Sequence, residues 1–73
     1  MFNCIFLLGS VTQVMKAKHL LNTYSLPVYA TKVNTEKRGC IHGIEFACNY
    51  KKNIANILQK NGIKFEEFNR DIS

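Results

Sequence analysis

The chain has 73 residues, of which 47% are hydrophobic and 21% charged, so residues 1–73 suit one small domain and not a disordered segment. Ten basic residues against five acidic ones give a formal net charge of +5, which favours an acidic or phosphate-bearing partner. The longest apolar run, Cys4 to Leu8, is far shorter than the roughly 20 residues that cross a bilayer, and no basic residue precedes it. We therefore expect a cytoplasmic protein with no membrane partner.

In chain order, the first element is an almost wholly apolar segment, Phe2 to Leu8, that ends at Gly9 and predicts a central strand buried on both faces. Ser10 is a suitable N-cap for an amphipathic helix over Val11 to Tyr24. A second strand is predicted at Val28 to Val33, where a lysine is typical of an edge strand.

The next segment, Asn34 to Gly43, has neither the helix nor the strand period and predicts a long hairpin loop. Alternation over Ile44 to Asn49 predicts the third strand. Asn49 can cap a second helix over Tyr50 to Asn61, with Gly62 as its left-handed C-cap. A fourth strand is predicted directly after that glycine.

The order strand, helix, strand, strand, helix, strand predicts an α+β domain. With right-handed crossovers it gives a ferredoxin-like βαββαβ fold, a four-stranded antiparallel sheet with both helices on one face. The helices can cover only one face of the first strand, so either Ile5 and Leu7 or the residues that alternate with them stay exposed. A homodimer through the sheet would cover them, and a monomer that tolerates a modest apolar patch is the alternative.

The cysteines, Cys4, Cys40 and Cys48, are odd in number and form no Cys-x-x-Cys pair. This pattern favours a reducing compartment over a disulfide framework, so we expect any disulfide to be transient. Cys4 and Cys48 have apolar neighbours on predicted strands and are expected to behave as small buried hydrophobic residues.

Cys40 stands in the segment where the chain's reactive and cationic side chains are concentrated. Lys37 and Arg38 precede it and His42 follows it. Cationic neighbours stabilise thiolate over thiol, so we expect these three residues to activate Cys40 as a nucleophile. A thiol and one imidazole fall short of the three or four ligands that zinc requires, and we expect no metal and no cofactor.

A glycine stands on each side of Cys40 in the sequence. Gly39 and Gly43 are expected to permit the backbone turns of the loop that exposes the thiol. The predicted topology also brings the helix N-terminus at Gly9 and Ser10 to the same end of the sheet, where its partial positive charge would favour an anion. The sequence thus predicts a site at this end of the sheet.

Three stretches resemble a family of short bacterial proteins, the selenium/sulfur carrier protein-like family. They run from Gly9 to Leu21, from Leu26 to Val28 and from Gly39 to Glu45, and the resemblance covers nearly the whole chain. It implies a thiol carrier in which Cys40 bears sulfur or selenium as a persulfide or selenosulfide. It also implies two protein partners, a cysteine desulfurase-like donor and an acceptor.

The residues alone do not separate a carrier from a redox sensor, and two further hypotheses stay open. RNA-recognition domains share the predicted element order, but the positions where their third strand offers stacking aromatics hold Cys40, His42 and Glu45 here. A protein-binding module or a dimeric regulatory domain without chemistry is also compatible with the fold. No carboxylate pair, phosphate-binding loop or Ser/His/Asp set can be assembled, so a carrier is favoured over an enzyme.

Overall fold

A computed structural model describes residues 3–68. It confirms an α+β protein with a four-stranded antiparallel sheet and two helices. In chain order the elements are β1 (Asn3–Leu7), α1 (Val11–Thr23), β2 (Tyr29–Thr35), β3 (Gly39–Ala47), a short 3₁₀ turn (Cys48–Tyr50), α2 (Lys51–Lys60) and β4 (Glu66–Phe68). The strands lie in the order β2-β3-β1-β4. Phe2, predicted as the start of the first strand, lies outside the described residues.

The main core lies between the sheet and both helices. Phe6 of β1 contacts the ring of Phe46 edge-to-face, with ring centroids 4.8 Å apart, and stacks on Phe65 with centroids 4.3 Å apart. The residues that complete this core are buried side chains from α1, α2 and β3: Val14, Ala17, Leu21, Ile44, Ile54 and Leu58. Even-numbered residues of β1 and β3 therefore face the helices.

The opposite face of the sheet holds a second, smaller apolar cluster. Ile5 and Leu7 of β1 are only 1% and 5% exposed and are buried together with Ile41, while Val33 and Phe68 pack against them. The apolar residues expected on an open face are thus covered within one chain. The homodimer stays a prediction, but this patch no longer supplies a reason for it.

The two helices begin differently, and a glycine follows the C-cap of α2. Ser10 caps α1, since its Oγ accepts a hydrogen bond from the backbone N–H of Gln13 at 3.2 Å. The prediction that Asn49 caps the second helix is wrong, because it lies in the 3₁₀ turn and α2 begins at Lys51 without a side-chain cap. At the other end of α2, Gly62 takes a φ of +71°, the left-handed conformation that favours glycine.

The prediction of a long loop from Asn34 to Gly43 is wrong. β2 runs on to Thr35 and β3 begins at Gly39, so only three residues form the turn of a hairpin. Polar side chains conceal the strand period here because both strands expose one face to water, while Val33 and its partner Ile41 point to the covered face. The fourth strand also begins later than predicted, at Glu66.

A disulfide joins Cys4 and Cys48, with their Cα atoms 5.1 Å apart. The expectation that both cysteines are plain buried residues is therefore wrong, while the expectation that any disulfide is transient stays a prediction. The spacing of 44 residues along the chain carried no signal of the pairing, which depends on strand register. Cys4 lies opposite Phe46, and Cys48 follows Phe46 by two residues at the start of the 3₁₀ turn.

Both described helices are short. α1 has 13 residues and α2 has 10, and neither has the length and apolar character needed to cross a membrane.

Candidate functional site

Cys40 is the second residue of β3, at the hairpin end of the sheet. It is a free cysteine and its side chain is exposed. In the antiparallel pairing of β2 with β3 it lies directly opposite Asn34. The structure therefore places the thiol on a strand whose backbone is held by a ladder, and not on a flexible loop.

The hairpin turn next to Cys40 is braced by one threonine. The hydroxyl of Thr35 accepts a hydrogen bond from the backbone N–H of Arg38 at 3.0 Å and donates one to the carbonyl oxygen of Gly39 at 3.0 Å. Gly39 has a φ of +70°, which other residues resist. These contacts fix the backbone immediately before the thiol.

The start of α1 lies beside the same end of β3. The backbone N–H groups of Leu8 and Gly9 both donate to the carbonyl oxygen of His42, at 2.9 and 3.1 Å. Ser10 then begins the helix, so the amide end of α1 stands two residues along β3 from Cys40. The partial positive charge of a helix N-terminus favours an anion at such a place.

The face of the hairpin that carries Cys40 also carries two basic side chains. Cys40 and His42 share the helix-facing side of β3 with Ile44, because residues two apart point the same way. Lys32 of β2 lies directly opposite His42 and diagonal to Cys40. Side chains on directly opposed strand positions lie about 5 Å apart at Cβ, and diagonal ones about 7 to 8 Å.

The fold places the three cations that were predicted to activate the thiol in different surroundings. The guanidinium of Arg38 binds the carboxylate of Glu66 at 2.6 Å, so its charge is partly neutralised. Lys37 stands exposed in the turn, and His42 lies on the same strand and the same side as Cys40. Lys32 was not among the predicted site residues. Its pairing partner His42 was assigned to a loop, so the sequence did not indicate that Lys32 lies diagonal to Cys40.

Gly43 has a structural role different from the expected turn. It lies within β3, opposite Leu7, where a Cβ atom would stand 2.4 Å from the carbonyl oxygen of Phe6. Only glycine lets β1 and β3 approach this closely. Gly43 therefore sets the spacing of the two central strands beneath the site and does not bend the chain.

The free thiol and the disulfide lie at opposite ends of the sheet. Cys4 is opposite Phe46, and Phe46 is six residues from Cys40 along β3. At about 3.3 Å per residue, this places roughly 20 Å between Cys40 and the disulfide. Within residues 3–68 no three His, Cys, Asp or Glu side chains are grouped as metal ligands.

These features define a small α+β protein with one exposed free cysteine on a hairpin at the rim of its sheet. Residues 3–70 match the family described as "Putative Se/S carrier protein-like", and the chain belongs to that family. The resemblance found in the sequence is thereby confirmed. No curated protein and no solved structure matches the chain.

Proposed function

We propose that this protein carries sulfur or selenium on Cys40 and passes it to a second protein in the cytoplasm. The observation that carries the proposal is that Cys40 is free, exposed and remote from the other two cysteines. Membership of the selenium/sulfur carrier-like family supports the same role. A cysteine desulfurase-like donor and a separate acceptor are the proposed partners.

The proposed transfer needs only one thiolate at a time. The Cys40 thiolate attacks the outer sulfur of a donor persulfide, the donor's sulfur–sulfur bond breaks, and the donor leaves as a thiolate. Cys40 then holds the outer sulfur as a persulfide. A nucleophile on the acceptor attacks that sulfur and releases the Cys40 thiolate, so no external oxidant or reductant is consumed.

The surroundings of Cys40 suit an anion on its sulfur. Lys32 and His42 lie on the same face of the hairpin, and the N-terminus of α1 adjoins the same end of β3. Both a thiolate and a persulfide anion are stabilised by such positive potential. We propose that Lys32 contributes more than Arg38, because Glu66 already binds the Arg38 guanidinium.

The distance between Cys40 and the disulfide favours a carrier over a sensor that forms an internal disulfide. A resolving cysteine must approach within bonding distance, and about 20 Å of sheet separates Cys40 from Cys4 and Cys48. A persulfide on Cys40 would therefore await a second protein.

We further propose that the fold is ferredoxin-like. The strand order β2-β3-β1-β4 and the shared core of both helices support this assignment. In this arrangement the hairpin end of β3 and the start of α1 meet at one rim of the sheet. The fold thus supplies a rigid platform for one thiol and leaves one side of it open to a partner.

Intact-protein mass spectrometry tests the carrier function. The protein is incubated with a cysteine desulfurase and cysteine, and we expect a gain of one sulfur mass on Cys40 that a reductant removes. The Cys40→Ser variant serves as the matched control and should gain nothing. Absence of the added mass on wild-type protein, under conditions where the desulfurase loads a known acceptor, would refute the proposal.

A further inference from the structure

One flank of α1 is exposed, and it is the flank that faces away from α2. Val11 and Met15 are 54% and 60% exposed, although both are apolar. At about 3.6 residues per turn, Lys18 falls on the same flank as these two. Tyr24 lies on the other flank, where it lines a cavity together with Ile57 of α2. The exposed flank therefore points to the opposite side of the molecule from α2.

This flank of α1 lies on the same side of the protein as Cys40. α1 packs over β2 and β3, and Lys32 is exposed on the face of β2 that these contacts define. We name the resulting surface the Cys40 face, and its members are Val11, Met15, Lys18, Lys32, Cys40 and His42. It combines two lysines, an imidazole, two exposed apolar side chains and one thiol.

Among residues 3–68, three of the four carboxylates lie away from the Cys40 face and one lies in the hairpin turn at its edge. The glutamates among residues 3–68 are Glu36, Glu45, Glu66 and Glu67. Glu66 binds Arg38 and Glu67 binds Lys51, both from the far edge strand β4. Glu45 alternates with the helix-facing residues of β3 and so points to the other side of the sheet, while Glu36 lies in the hairpin turn. In the described part of the chain, the lysines of the Cys40 face therefore have no carboxylate partner on their own strand or on α1.

We propose that the Cys40 face docks an acidic, partly apolar surface of the protein that exchanges sulfur with Cys40. This inference rests on the carrier function proposed above. Carboxylates of the partner would meet Lys18 and Lys32, and its apolar side chains would cover Val11 and Met15. Complementary charge of this kind raises the association rate and selects among partners.

The composition of this face fits a protein better than a nucleic acid. Single-stranded RNA binds through aromatic side chains on which its bases stack. The exposed tyrosines lie elsewhere: Tyr24 is on the flank of α1 next to α2, and Tyr29 pairs with Glu45 on the opposite side of the sheet. The apolar members of the Cys40 face are aliphatic, which suits protein side chains.

A pair of peptide disulfides provides the probe. Each peptide carries one cysteine bound to thionitrobenzoate, and the two differ only in having several glutamates or the same number of glutamines. The Cys40 thiolate attacks the peptide sulfur, the disulfide breaks, and thionitrobenzoate leaves as a coloured thiolate. The Cys40→Ser variant gives the background rate.

We expect the acidic peptide to react about tenfold faster than the neutral one at low salt, and the advantage to shrink as salt is added. The double variant Lys18→Glu/Lys32→Glu should lower the ratio of the two rates to about one or less. The ratio is the proper measure, because Lys32 also affects the reactivity of the thiol with both peptides. Lys52→Glu/Lys60→Glu makes the same change in net charge on α2 and should keep the advantage.

The apolar part of the face has its own test. A second acidic peptide, with leucines beside its cysteine, should react faster than the first with wild-type protein. Val11→Ser/Met15→Ser should remove that gain while leaving the preference for glutamate intact.

Several results would overturn the docking face. The first is an equal rate for the acidic and neutral peptides with wild-type protein. The second is an equal fall in the ratio of the two rates in both charge-reversal variants, which would show an effect of net charge alone. Protection of Cys40 by a single-stranded RNA oligonucleotide, stronger than by the acidic peptide and lost in Lys18→Glu/Lys32→Glu, would assign the face to nucleic acid instead. Sulfur loading of Cys40 without a preference for acidic peptides would retain the carrier and refute the docking face. A preference for acidic peptides without sulfur loading of Cys40 would retain the docking face and refute the carrier function.

Discussion

The Nη2 atom of Arg38, in the β2–β3 turn, donates to a carboxylate oxygen of Glu66 on β4 at 2.6 Å. Strand β1 lies between these two elements in the sheet, so the ion pair spans its end. The cation nearest to Cys40 in sequence is thereby engaged elsewhere. Lys32, eight residues before the thiol, is brought diagonal to it by the hairpin.

This arrangement predicts that Lys32, more than Arg38, controls the reactivity of Cys40. Lys32→Ala should slow alkylation by iodoacetamide about twofold to fourfold at neutral pH, since a partly screened charge about 7 to 8 Å away contributes about that much. Arg38→Ala should change the rate by less than about twofold, because its exposed guanidinium is already paired.

The measurement is the alkylation rate of the disulfide-bonded protein, in which Cys40 is the free cysteine. Lys52→Ala, on α2, is the matched control for removing a lysine. A slower rate in Arg38→Ala than in Lys32→Ala would show that the guanidinium acts on the thiol in spite of Glu66.

The second prediction concerns Gly39 and Gly43, the glycines on either side of Cys40. Gly43→Ala should lower the free energy of unfolding by about 2 to 3 kcal/mol, since the added methyl group would stand 2.4 Å from the Phe6 carbonyl oxygen. Gly39→Ala meets no neighbouring atom and should cost only about 1 to 2 kcal/mol, from its left-handed backbone.

Urea unfolding of both variants and the wild type provides the comparison. Gly39→Asn serves as a further control, since asparagine tolerates the left-handed conformation better than alanine. Equal losses in Gly39→Ala and Gly43→Ala would contradict the close approach of β1 and β3 at Gly43.

The sequence predicted those parts of the fold in which one residue pattern dominates. The apolar run of β1 and the period of α1 led to nearly the right boundaries, and the Ser10 cap and the Gly62 C-cap were found by residue type. The hairpin was predicted with too long a loop, because the ends of its strands are polar on one side and short of apolar residues on the other. Local composition there could not reveal how far the two strands would pair or in which register.

The site could be predicted in part for the same physical reason. Cys40 was proposed as the reactive residue because its neighbours in sequence are basic. The partner of Arg38 was not predicted, since Glu66 is 28 residues away and contacts Arg38 only because of the strand order. The disulfide likewise depends on register, which brings Cys4 beside a cysteine 44 positions later.

The third prediction is that the disulfide is a major source of stability. For a closed loop of 44 residues, chain entropy predicts that Cys4→Ala/Cys48→Ala lowers the free energy of unfolding by about 3 to 4 kcal/mol. Cys40→Ala should change it by less than about 0.5 kcal/mol, because the side chain is exposed.

Denaturant unfolding under oxidising and reducing conditions measures the effect. A reductant should destabilise wild-type protein by about the amount that the double variant loses, and should leave the double variant unchanged. A double variant as stable as wild type would show that the bond contributes nothing to folding.

The last prediction separates burial within one chain from burial by a dimer. Ile5 is 1% exposed in a single chain, so Ile5→Ala should lower the free energy of unfolding by about 2 to 4 kcal/mol at any protein concentration. A dimer that covered this residue would instead make the unfolding midpoint rise with protein concentration in the wild type. Thermal unfolding over a wide range of concentrations, with Val11→Ala as an exposed apolar control, distinguishes the two. A concentration-dependent wild-type midpoint that becomes independent in Ile5→Ala would assign the face to a dimer.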